Sequence, residues 1–83
     1  MNTRSYEAAL KSIERIAKPS AQIMEAKQKI LFQLGTQSFA NANFEQALQY
    51  LNQSITIGQY NRQTKADAYY WCGESYYRLN RMM

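Results

Sequence analysis

The chain of 83 residues is 46% hydrophobic and 19% charged, with ten basic and six acidic side chains and a net charge of +4. That balance excludes a disordered chain, and the length allows one small domain near the lower limit for a self-sufficient core. With a single cysteine and no histidine, an internal disulfide and a zinc site built from His and Cys are both excluded.

Scarce glycine and proline beside abundant Ala, Leu, Gln, Glu and Lys favour helices. Tyr6, Ala9, Leu10, Ile13 and Ile16 or Ala17 step by three and four, which predicts a first amphipathic helix over residues 4–17. Lys18-Pro19-Ser20 breaks it, because proline disfavours helix at the residue before it. Ser20 is placed to cap a second helix that carries Ile23, Ile30, Leu31, Leu34 and Ser38 on one side and runs to about Ala40. Asn41-Ala42-Asn43 predicts a tight corner, with asparagine supplying left-handed geometry. The third helix uses Phe44, Ala47, Leu48, Leu51 and Ile55 and ends near Gly58. The fourth, from about Gln63 to Leu79, presents Tyr69, Cys72, Gly73 and Tyr76. No stretch is apolar for long enough to be a transmembrane segment. The opening residues lack the apolar core of a signal peptide, so any secretion signal is expected on a longer parent chain.

Sliding the sequence against itself yields one convincing offset, 38 residues. Tyr6 then meets Phe44, Glu7 meets Glu45, Ala9 meets Ala47, Leu10 meets Leu48 and Ile13 meets Leu51. Further on, Lys27 meets Lys65, Gly35 meets Gly73 and Phe39 meets Tyr77. Most of these matched positions are small or apolar, as repeated packing requires. Gly35 and Gly73 both fall inside helices, where glycine costs about 1 kcal/mol relative to alanine. The expectation is that a neighbouring helix approaches each too closely for a Cβ, with Ala47 the small partner of Gly35.

Leu34-Gly35 followed by Phe44, Ala47, Leu51 and Ser54 resembles the tetratricopeptide repeat, a pair of antiparallel helices A and B. The resemblance implies an all-α fold of antiparallel helix-turn-helix repeats with about four helices. It makes Gln28–Asn61 one complete repeat by alignment, whose A and B helices, with an N-terminal extension, occupy 20–58. Residues 4–17 then correspond to helix B of a preceding repeat and 63–81 to helix A of a following one. Leu31 stands where Trp is commonest, Ser38 where Tyr is usual and Gln59 where Pro normally ends helix B. The run from Ala66 to Tyr77 is similar to helix A of repeats in bacterial cell-envelope proteins such as the Tol–Pal coordinator type. A B-A-B-A order of helices without polar caps is expected of a segment cut from a longer array, able to form a homo-oligomer through its open ends.

By the family register, helix A residues line a concave groove that takes a protein or peptide partner. The groove positions are Lys29, Phe32, Thr36, Phe39 and Ala40 in one repeat, and Asp67, Tyr70, Glu74, Tyr77 and Arg78 in the next. Independently of the family, Phe32, Phe39, Tyr70 and Tyr77 fall on a different face from Leu31, Leu34, Tyr69 and Cys72, which the core is expected to claim. Aromatics outside a core suit partner contacts; the other reading packs them on neighbouring helices. A subclass of the family grips C-terminal carboxylates with a Lys, Asn and Arg clamp. Phe32, Gln33, Thr36 and Trp71 stand there instead, which argues against that ligand and for an extended or helical peptide.

Enzyme chemistry finds little support. Histidine is absent, Cys72 is expected on the core side beside Gly73, and no nucleotide fingerprint occurs. Glu7 with Glu14 and Asp67 with Glu74 each stand seven apart, a spacing that suits salt bridges or solvated faces. No cofactor or metal is expected. Nucleic-acid binding rests only on tyrosines among scattered Lys and Arg, and the third helix carries no basic residue, only Glu45. The scattered charge reads as solvated helix faces, with a weak preference for anionic surfaces as the other reading.

Overall fold

The computed structural model describes residues 3–82, as four helices and no strand. Helix α1 spans Thr3–Glu14, α2 Ala21–Ala40, α3 Phe44–Thr56 and α4 Arg62–Met82, with a single 3₁₀ turn at Gly58–Tyr60 before α4.

Proline ends α1 one turn sooner than its apolar spacing predicts. Pro19 offers no N–H to the Arg15 carbonyl, and its ring crowds that oxygen. The helix instead closes on tighter bonds from Arg15 N–H to the Ser12 carbonyl (3.3 Å) and Ile16 N–H to the Ile13 carbonyl (3.0 Å). Ile16 and Ala17 lie exposed beyond its end. Ser20 caps α2 as expected, its hydroxyl accepting from the Ile23 N–H at 3.2 Å.

The corner between α2 and α3 differs in one respect from its sequence reading. Ala42, not an asparagine, takes the left-handed conformation, at φ 63°. Its N–H donates to the Phe39 carbonyl (2.9 Å) and the Asn43 N–H to the Ser38 carbonyl (2.8 Å), the bonding pattern of a Schellman cap. These two bonds satisfy the last carbonyls of α2 and offset the strain of an alanine there, about 1–2 kcal/mol.

Cross-helix pairs fix the directions. Phe39 meets Phe44, Gly35 meets Leu51 and Gln28 meets Ser54, so α3 runs antiparallel to α2. Asn52 meets Cys72 and Gly58 meets Lys65, so α4 runs antiparallel to α3. Helices α2 and α4 are therefore parallel, joined directly where Phe39 stacks edge-on to Trp71. Helix α1 packs on α2.

The core sits among α2, α3 and α4. Leu31, Leu34, Ala47, Leu48, Leu51, Ala68 and Cys72 are buried there. Tyr69, expected beside them, is 57% exposed: it points away from α3, on the flank of α4 that no described helix covers.

The two matched glycines part company. A Cβ on Gly35 would lie 2.7 Å from Leu51 Cγ and 3.4 Å from the Ala47 carbonyl, so α2 and α3 do approach too closely for a side chain. The bulk that fills the site is Leu51; Ala47 contributes its backbone. Gly73 is exposed with nothing within 4 Å of an added Cβ, so the expected neighbour is not there. The reason is positional. Helix α4 uses Ala68, Cys72 and Ser75 to meet the rest of the fold, and Gly73 lies on another side.

Buried polar groups lock the connector between α3 and α4. Gln28 is fully buried in α2, and its Nε2 donates to the carbonyls of Gly58 (3.3 Å) and Asn61 (2.8 Å). Its backbone carbonyl accepts from Ser54 Oγ at 2.9 Å. Asn61 in turn caps α4, its Oδ1 accepting from the Thr64 N–H at 2.9 Å, and its Nδ2 donates to Glu25 at 2.8 Å. That bond first, and Lys29 beside it second, hold the Glu25 carboxyl below its ordinary range.

Opposite outcomes follow for the same substitution at the two glycines. Overpacking against Leu51 costs about 1–3 kcal/mol and the helix preference of alanine returns about 1, so Gly35→Ala is expected to lose up to about 2 kcal/mol. Gly73→Ala meets only the preference and is expected to gain up to about 1 kcal/mol. Denaturant melts of the two variants beside the parent chain measure both signs.

Candidate functional site

Aromatic side chains gather where α2 and α4 run side by side. The Phe39 ring stands edge-on to Trp71 (centroids 5.0 Å apart) and to Phe44 at the start of α3 (5.1 Å). Trp71 stands edge-on to Tyr70 at 5.4 Å, and the Arg78 guanidinium lies 5.7 Å above the Phe39 ring. Edge-to-face ring pairs each contribute about 0.5–1.5 kcal/mol beyond their burial, so the cluster braces the two parallel helices.

The sequence-expected groove positions divide into two kinds. On α2, Phe32 and Phe39 are half-buried and pack against the core cluster of α3 and α4. Thr36 is half-buried and returns its hydroxyl to the Gln33 carbonyl at 3.0 Å. Lys29 is exposed and paired with Glu25 at 3.5 Å. On α4, Tyr70 is 62% and Tyr77 54% exposed, the largest open aromatic area on this side. Asp67 is half-buried and accepts from Gln63 Nε2 at 3.0 Å; Glu74, two turns on, is also half-buried. Ala40 and Arg78 are exposed at the far end.

Trp71 is a member of this surface that the sequence reading assigned only to an unfilled clamp position. Its spacing was the available signal: Asp67, Trp71, Glu74 and Arg78 follow i, i+4, i+7, i+11 on one stripe of α4. Among the described residues, a depression of about 400 Å³ lies elsewhere, lined by Asn43, Phe44, Glu45 and Leu79 at the corner before α3.

The arrangement offers contact chemistry. Half-buried rings give a firm apolar floor, tyrosine hydroxyls give hydrogen bonds, and the Arg78 guanidinium over Phe39 shares one stripe of α4 with the carboxylates of Asp67 and Glu74. Among the described residues no group of three His, Cys, Asp or Glu could hold a metal ion, and no helix is long and apolar enough to cross a membrane. Cys72 is buried, its Sγ 3.8 Å from Asn52 Oδ1, and desolvation pushes the thiol above its ordinary value.

No family model, curated protein or solved structure matches the chain.

Burial and a raised thiol leave little thiolate at neutral pH. Cys72 is therefore expected to react with a maleimide or disulfide reagent many times more slowly in the folded chain than in denaturant. Following the labelling rate across a urea series checks this: the rate should rise with the unfolded fraction, and fast labelling of the native chain would show the thiol open.

Proposed function

We propose that the chain is a tetratricopeptide-type segment that holds a peptide or protein partner on the aromatic surface between α2 and α4, and that it catalyses no reaction. The observation that carries the reading is the pairing of a braced floor with open rings. Phe39 and Trp71 are fixed edge-on across the two helices, while Tyr70 and Tyr77 stand more than half exposed beside them. Rings held in place before binding lose little conformational entropy on contact, which is what makes aromatics effective anchors. The parallel pair of α2 and α4, each antiparallel to α3, supports the repeat reading, as does the contact of Gly35 with Leu51.

The ligand best suited is an extended or helical peptide with apolar side chains for the floor and polar groups for the tyrosines. A non-enzymatic role is supported by the absence of histidine from the sequence and by the buried state of Cys72. The third helix, with no basic residue, supports a protein partner over a nucleic acid.

Trp71 is the only tryptophan and lies in the floor, so its emission reports on the surface directly. Peptides selected from a random display library on the immobilised chain should shift Trp71 fluorescence on titration. Changing Tyr70 and Tyr77 together to Ala should weaken that binding at least about tenfold, the loss of roughly 1.4 kcal/mol, with the melting temperature nearly unchanged. Peptides that bind the double variant as well as the parent would show that the surface is not the site.

A further inference from the structure

The flank of α4 that carries Tyr69, Gly73 and Tyr76 borders the rim of the aromatic surface at Tyr70 and Tyr77 and has a matching counterpart in the same chain. At the 38-residue offset these positions are copies of Leu31, Gly35 and Ser38 in α2. In α2 all three are buried against α3, at 1% exposure for Leu31 and 8% for Ser38, with Gly35 pressed on Leu51. In α4 their copies are open: Tyr69 is 57% and Tyr76 54% exposed, and Gly73 faces empty space. The backbone thus offers at Gly73 the same notch that Leu51 fills at Gly35.

Helix α1 is the copy of the helix that fills that notch. Tyr6, Ala9, Leu10 and Ile13 align with Phe44, Ala47, Leu48 and Leu51 of α3. Those four are buried in α3, which has α2 on one side and α4 on the other. Their copies in α1 are only half-buried; among the described residues α1 packs chiefly on α2. One chain therefore carries an open α2-like face and a half-covered α3-like face. Both α2 and α3 stand between them, so they do not meet within one molecule.

We propose that the α4 flank docks α1 of a second copy of this chain, rebuilding the α2–α3 interface between molecules. Ile13 of the second copy takes the place of Leu51 over Gly73, and its Ala9 takes the place of Ala47. The contact joins two different patches, so it is heterologous and head-to-tail, and it extends into chains of copies with no closing dimer. It rests on the repeat register and uses neither Tyr70 nor Tyr77, so it and the peptide-binding surface can fail separately.

Sedimentation of the full chain over a micromolar to millimolar series tests the proposal. The average mass is expected to climb past that of a dimer with rising concentration. Gly73→Arg blocks the notch on one face and Ala9→Glu blocks the other; each variant alone should remain monomeric with helicity intact. Mixed in equal amounts, they should form a discrete heterodimer through the two unblocked faces. Where Ala9→Glu lowers helicity, Gly73→Ala gives a second readout on the α4 face alone: it should weaken association at least about tenfold while stabilising the monomer. A parent chain that stays monomeric at millimolar concentration overturns the proposal and leaves the flank to some other helix. So does association that survives both substitutions, or that Gly73→Arg alone abolishes with no recovery on mixing, which would mark a contact between two α4 flanks.

Discussion

The close approach of α2 to α3 at Gly35 is the contact on which the rest of the structure depends. With no Cβ in the way, Leu51 reaches the α2 backbone, and the buried residues Leu31, Leu34 and Ala47 gather around that point. Any side chain at position 35 would push α3 outward. Helix α4 packs on the other side of α3, through Ala68 and Cys72, so a shift of α3 would carry α4 with it. The Phe39–Trp71 contact that braces the aromatic surface spans α2 and α4, and its 5.0 Å spacing is therefore set partly by a glycine on a different face.

A second constraint holds the far end of the same assembly. Gln28 spans from α2 to the connector after α3 and donates to the carbonyls of Gly58 and Asn61, the second of which also accepts from the Lys65 N–H of α4 at 3.1 Å. One buried amide thus ties α2 to both ends of the turn into α4, and hydrogen bonds of this kind contribute about 0.5–1.5 kcal/mol each. Asn61 then couples the turn to the helix start, since one side chain both caps α4 and binds Glu25. Gln28 in the first half of α2 and Gly35 in its second half act on the connector into α4 and on α3 respectively, and together they fix the register between the parallel pair.

Much of this was legible in the amino-acid sequence because helix packing is written in spacing. The four helices follow from which residues recur every three or four positions, the Ser20 cap and the corner after α2 from the residue types at the breaks, and the Gly35 approach from a glycine set inside a helix. What was not legible depends on which neighbours are present. Gly73 has the same sequence surroundings as Gly35 but no helix against it, and Tyr69 looks like a core residue until one knows that its side of α4 is uncovered. Ala42 in a left-handed corner contradicts residue preference because the two cap bonds around it are stronger than that preference. Gln28 gave no signal, since a buried amide and an exposed one are the same letter. At the site, the stripe of α2 and α4 residues was readable, but the split between floor and rim was not. Phe32 and Phe39 turn inward while Tyr70 and Tyr77 stay out, a distinction that only the packing of α3 decides.

If α2 and α3 form the packed centre and α1 and the outer flank of α4 are peripheral copies, protection should follow that order. Native-state amide hydrogen exchange, at a dilution where the chain is monomeric, measures it residue by residue. The slowest amides should lie in the facing stretches 28–38 and 44–54, with α1 and the last turns of α4 opening at much lower free energy. Uniform protection across all four helices, or slowest exchange in α1, would contradict a structure organised around the Gly35 contact.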